Sequence, residues 1–165
     1  MNKAKIRASA FAMSYLSSAE RVRETVEELG LPRGREPAYV GSAGVKLTAV
    51  RLRLRPYRKL REYVEDINGY VAEAAAAGSQ LVAFPELAGM LSISLMPRFG
   101  SILEDLRGLS GGSDRELAEA FAVVCESVQG FVGEIFHNTL SQLALAHQIA
   151  IAAGSVYQVE AGRIY

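Results

Sequence analysis

Between residues 56 and 86 the hydrophobic pattern changes period, and the change predicts a helix followed by a strand. Leu60, Tyr63, Val64, Ile67, Tyr70, Val71 and Ala74 recur every three or four residues, one apolar stripe along a helix reaching to about Ala77. Pro56 falls where a first helical turn accepts a proline. Arg58 with Glu62 and Arg61 with Glu65 make four-residue charge pairs on the other side, and Gly78 stands where a left-handed residue ends a helix. Leu81, Val82, Ala83 and Phe84 then carry no polar side chain, the pattern of a strand in a sheet covered on both faces. A helix between neighbouring strands implies parallel pairing through a right-handed crossover.

The pattern on either side extends this plan. Residues 17 to 29 predict a helix opened by Ser17 or Ser18 and ended by Gly30, with Pro32 just beyond. Leu31 to Gly44, with two prolines and three glycines, reads as an irregular linker to the first strand. The pattern loosens from Leu87 to Gly112: the apolar stretch Leu87 to Met96 reads as a loop or short helix, and GLSGGS at Gly108 to Ser113 is a break. Ser113 with Glu116 forms a capping box for a long helical region, with an interruption expected near Gly130 and Gly133. Ile149 to Tyr157 reads as the next strand, in which Gly154 and Ser155 suggest close backbone approach. Ala161-Gly162 makes a hairpin turn into a strand reaching Tyr165.

Composition narrows the class. Half the residues are hydrophobic and 22% are charged, so 165 residues can bury a core. No apolar run approaches the ~20 residues needed to span a bilayer. A single cysteine cannot build a disulfide framework, and the basic amino terminus has an apolar centre too short and too interrupted, by Ser9 and Ser14, for a secretory signal. A cytoplasmic domain without membrane contact is the expectation. The net charge is zero, yet residues 1 to 61 hold 14 Lys and Arg against 5 Asp and Glu, leaving 4 against 13 in the remainder, that is +9 and −9. Without interleaved aromatics or a nucleic-acid motif, this asymmetry reads as solvated faces and pairing between the halves, not as a nucleic-acid site. Arg51, Arg53 and Arg55 alternate with Leu52 and Leu54, which puts three guanidiniums on one face of a strand end.

The candidate chemistry is one carboxylate. Glu86 follows the apolar strand directly, and in open α/β sheets ligands collect beyond the carboxyl ends of strands, where an acid is placed for proton transfer. Its apolar neighbours are expected to raise its pKa. The alternative is that Glu86 caps the next element or pairs with an arginine. Cys125 takes its turn in the apolar series Leu117, Phe121, Val124, Cys125 and Val128, and reads as core. His137 and His147, ten residues apart, fall about 80 degrees out of phase on a straight helix and cannot share a ligand site, though His147 suits the negative end of its helix. GLSGGS has neither the lysine nor the preceding strand of a phosphate loop.

Three blocks carry a resemblance to a known family: VKLTAV at Val45 to Val50, Gly78 to Leu87 with its Phe-Pro-Glu-Leu, and LSQLALAHQIAIAAGSVYQVEAGRIY from Leu140 to Tyr165. In this order they resemble the amino-terminal portion of the nitrilase superfamily of carbon–nitrogen hydrolases. The resemblance implies part of a four-layer α-β-β-α sandwich spanning residues 45–165, with residues 1–44 as a helical extension and linker. It implies hydrolysis of a small-molecule amide or nitrile through a Glu-Lys-Cys triad in which Glu86 is the base, with no metal or organic cofactor and, by analogy, a homo-oligomer. In the family the lysine and cysteine follow the Gly-Ser strand. Here no lysine follows Lys59 and the only cysteine is Cys125, so the 165 residues are expected to be inactive alone. The glutamine the family often places near the opening strand is also missing, and residues 87 to 135 read as including an insertion. The other reading is a non-catalytic interaction domain, or an inactive truncated hydrolase.

Overall fold

In the computed structural model, which describes residues 13, 15, 17–32, 44–109, 111, 113–160 and 163–164, helices dominate and a small parallel sheet sits against them. The elements in chain order are α1 (Ala19–Glu28), β1 (Leu47–Ala49), α2 (Leu60–Ala76), β2 (Leu81–Ala83), a 3-10 helix (Ala88–Leu95), α3 (Phe99–Leu109), α4 (Asp114–His147), β3 (Ala150–Ala152), β4 (Val159–Glu160) and β5 (Arg163–Ile164). The chain is therefore mixed α/β. β2 lies between β1 and β3 and pairs parallel with both, Ala49 opposite Ala83 and Ala83 opposite Ala152. β4 and β5 form a separate antiparallel pair; their connecting Ala161 and Gly162, like most of the linker after Pro32, lie outside the described residues.

Several local signals act as their chemistry requires. Ser18 caps α1, its side chain accepting from the Arg21 amide at 3.2 Å, and Gly30 follows the helix in the left-handed region at φ 71°. Gly78 does the same after α2 at φ 76°. Ser113 and Glu116 make the reciprocal capping box of α4, each side chain accepting from the other's amide at 3.3 Å. Leu60, Tyr63, Val64, Ile67, Val71 and Ala74 all point inward, and Arg61 pairs with Glu65 at 2.8 Å.

Four expectations need correction. α2 begins at Leu60, four residues after Pro56, because Tyr57 is drawn into the core instead: its amide donates to Ser94 Oγ at 2.9 Å and its hydroxyl to Asp66 at 2.5 Å. Arg55 pairs with the same Asp66 and lies over the Tyr57 ring, 5.2 Å from its centroid. Burial, then the bond to Asp66, pushes the Tyr57 phenol well above its usual range. Second, α4 runs unbroken through Gly130 and Gly133 for 34 residues. Two glycines cost a helix roughly 1 kcal/mol each, whereas Phe131, Val132, Ile135 and Phe136 beside them are buried, at ~1.5–3 kcal/mol apiece. Third, β3 is only three residues long, since Gly154 turns left-handed at φ 76° and takes the chain out of the ladder.

The fourth correction concerns the sheet, which among the described residues helices cover on one face and not on both. Val82 and Phe84 point into the core formed by α2 and α4, and Ile151 packs against it. The alternate residues face away: Leu47 is 53% exposed, and Ala49, Ala150 and Ala152 are exposed as well. The amino-terminal α1 packs on α2 and α4, burying Val22 and Val26, with Glu28 reaching Arg61 at 3.6 Å. Asn138 in α4 donates to the Ser17 carbonyl at 3.1 Å.

Two predictions follow from burial. The exposed apolar face is expected to make the 165-residue chain self-associate in light scattering, and Ala152→Lys, which adds a charge at an exposed position of that face, should shift it toward monomer; a monodisperse monomeric parent chain would contradict this. At the end of α4, the His147 ring donates to Asn68 Oδ1 at 2.7 Å, and burial holds its pKa below the ordinary value. The unfolded chain then takes up a proton near pH ~6.5 that the folded ring resists, so this part of the stability is present above that pH and lost as pH falls through the lowered folded value. Thermal melts should show His147→Gln reducing the acid-side loss; an undiminished loss in that variant would contradict the assignment.

Candidate active site

Parallel pairing puts the carboxyl ends of β1, β2 and β3 at one end of the sheet, and with them Arg51, Glu86 and the Gly154-Ser155 pair. The ladder continues past the strands: the Val50 amide donates to the Ala83 carbonyl and the Phe84 amide to the Ala152 carbonyl, both at 2.8 Å. Phe84 is buried, and two residues later Glu86 is exposed. The apolar enclosure expected around its carboxylate is not found. Neither is the ordinary structural use of such a residue: among the described residues Glu86 makes no ion pair or side-chain hydrogen bond, and the 3-10 helix after it has no side-chain cap. An exposed carboxylate in that position can accept a proton from a group brought to it.

Its backbone, by contrast, is closely held. Leu87 sits in the left-handed region at φ 60°, ψ 16°, which costs a residue with a Cβ on the order of 1–2 kcal/mol and persists only where surrounding contacts impose it. The contacts come from the segment after β3. Ser155 Oγ accepts from the Leu87 amide at 2.9 Å, and the Ser155 carbonyl accepts from the Gly89 amide at 3.1 Å. A Cβ on Gly154 would stand 2.1 Å from the Pro85 carbonyl oxygen, and one on Gly89 2.4 Å from Val156 and 2.9 Å from Phe136. The close approach expected at Gly154 and Ser155 is thus present, and the backbone it meets is the Pro85–Gly89 turn that carries Glu86.

Other residues singled out in the sequence lie elsewhere. Cys125 is buried in α4, where desolvation pushes its thiol pKa up and keeps it a poor nucleophile. His137 and His147 are on α4, the first exposed and the second bonded to Asn68. Arg51, Arg53 and Arg55 are exposed on an irregular segment beyond β1, and of these Arg55 is committed to Asp66. Among the described residues no group of three or more His, Cys, Asp or Glu side chains is gathered to hold a metal. A groove of about 320 Å³ beside β1 is lined in part by Thr48, Arg51, Tyr70 and Glu73, and one of about 220 Å³ lies between α1 and the end of α4; Glu86 borders neither. Sequence reasoning missed the strained Leu87, for which no signal exists in a leucine, and the bond from Leu87 to Ser155, for which the Gly-Ser pair was a partial one.

Comparison with family models, with curated proteins and with solved structures finds no match.

Gly78 and Gly154 share the same φ of 76°, but only Gly154 has neighbours within 4 Å of an added Cβ. Gly78→Ala should therefore cost about 1 kcal/mol, the backbone term alone, and Gly154→Ala clearly more. Urea unfolding of the two variants side by side measures the difference; equal losses would show that the contact with Pro85 can relax freely.

Proposed function

We propose that Glu86 is the general base of a carbon–nitrogen hydrolase of the nitrilase type, acting on a small-molecule amide or nitrile. The observation that carries the reading is an exposed carboxylate, unpartnered among the described residues, on a strained turn at the carboxyl end of the central strand. Strain of this kind costs stability, and an unused acid gives no structural return for it. In the proposed chemistry, written for an amide, a cysteine thiol gives its proton to Glu86 as its sulfur attacks the carbonyl carbon and the π electrons move to the oxygen, whose charge a lysine stabilises; the C–N bond then breaks, Glu86 passes the proton to the departing amine, and water hydrolyses the thioester to the acid and the free thiol. Cys125 is not that thiol, being buried in α4. In this reading the nucleophile comes from outside these 165 residues, and so does the lysine, since none follows Lys59; these residues alone should show no hydrolysis of amides, nitriles or esters.

The open sheet face fits the same proposal. A second sheet packed about 10 Å away would cover Leu47, Ala49, Leu81, Ala83, Ala150 and Ala152 and complete an α-β-β-α sandwich. A cytoplasmic homo-oligomer belongs to this reading too. The open face equally favours a second reading, a non-catalytic interaction domain that uses it to bind another protein.

One substitution separates the two. In the protein at its full encoded length, Glu86→Gln should leave the thermal melt unchanged and lower kcat on an amide or nitrile substrate by at least ~10²-fold, because the amide is nearly isosteric but cannot take the proton. Undiminished turnover would remove Glu86 from the chemistry, and a full-length protein with no hydrolytic activity would favour the interaction domain.

A further inference from the structure

From the hydrogen bonds at the carboxyl end of the sheet we infer that Ser155 is a positioning residue for Glu86, its side-chain oxygen holding the Pro85–Leu87 turn in the one conformation that presents the carboxylate. The inference rests on the proposed role of Glu86.

Three observations converge on it. The Leu87 amide lies beyond the end of β2 and has a single partner, Ser155 Oγ at 2.9 Å. Ser155 is half-buried, and an amide with little water near it costs more to leave unpaired than a bond to it contributes. Leu87 is left-handed, so without that acceptor the ordinary right-handed or extended conformation becomes the cheaper one, and rotation there re-aims the residue before it. Finally, the contact is made possible by Gly154: with no Cβ, its backbone comes up against the Pro85 carbonyl, which sets the hydroxyl of the next residue under Leu87. The Ser155 carbonyl holds Gly89 independently of the side chain, and the Ala88 amide closes the turn on the Pro85 carbonyl at 3.3 Å, so the Ser155 hydroxyl is what the segment after β3 adds at the Leu87 amide itself. Threonine keeps that oxygen; alanine removes it.

The division between side chain and carbonyl supplies the test. In Ser155→Ala, amide hydrogen exchange should show protection at Leu87 falling about fivefold, the size of one hydrogen bond, with Gly89 little changed. In the full-length enzyme the same variant should lower kcat by about 10- to 100-fold with KM nearly constant, the cost of a base slightly out of place. Ser155→Thr should restore both. Unchanged Leu87 protection, an unchanged kcat, or a failure of threonine to rescue would each overturn the inference. Should Ser155→Ala not fold, Ser155→Thr decides: kcat and Leu87 protection must stay within about threefold of the parent values, and a larger loss of either overturns it. If instead Glu86→Gln is fully active, the role proposed for Glu86 fails and Ser155 positions no base, whereas the fall in Leu87 protection in Ser155→Ala persists and identifies which of the two ideas was wrong.

Discussion

The central position of β2, hydrogen-bonded in parallel on both sides, is the constraint on which the rest of the molecule depends. Parallel neighbours cannot be joined by a tight turn, so the chain must cross back each time. It does so through α2 in the first connection and through the 3-10 helix, α3 and α4 in the second. Both α2 and α4 return against the same face of the sheet and bury Val82 and Phe84 with their own stripes. Because the three strands point the same way, whatever follows each of them emerges at one end, and there the turn after β2 meets the turn after β3.

That meeting is made of backbone. Among the described glycines, Gly154 and Gly89 are the two positions where a side chain would stand in occupied space, one against the Pro85 carbonyl and the other against Val156 and Phe136. Their lack of a Cβ allows two turns to lie in contact, and the first donates two hydrogen bonds to Ser155 of the second, one from the Gly89 amide and one from the left-handed Leu87. Local strain at Leu87, tight packing at Gly154 and the exposed acid between them are parts of one arrangement. Its opposite is the other face of the sheet, where small and apolar residues align across three strands, exposed on the outer two and half-buried on the central one. The fold thus has a closely fitted end and an uncovered side.

The amino-terminal helix and the node around Tyr57 show how the helical layer is tied together. α1 packs across α2 and α4, adding Val22 and Val26 to the common core. Tyr57 links the start of α2 to the 3-10 helix through Ser94 and to the body of α2 through Asp66, and its ring meets that of Tyr63 edge-on at 5.3 Å between centroids. Two residues on from Asp66, Asn68 joins α2 to α4 through His147. These polar contacts each fix a helix against its neighbour at a point where the apolar stripes alone would allow sliding.

Local chemistry by itself determined the pieces whose partners lie within a few residues. The caps at Ser18 and Ser113, the left-handed glycines at 30 and 78, the apolar stripe of α2, the helical setting of Cys125 and the parallel order of the first strands all rest on short-range geometry, and each could be read from spacing. Tertiary structure decided the remainder. Whether two glycines break α4 depends on how firmly Phe131 to Phe136 are buried; where α2 starts depends on what Tyr57 finds to bond. That the sheet is covered on one face only could not be read from Leu81 to Phe84, since an apolar strand looks the same whether its far side is packed or bare. The position of Glu86 was legible as a residue after a strand. Its strained support was not, because the Leu87 amide bonds a hydroxyl 68 residues away along the chain, and contacts at that distance leave no periodic trace in a sequence.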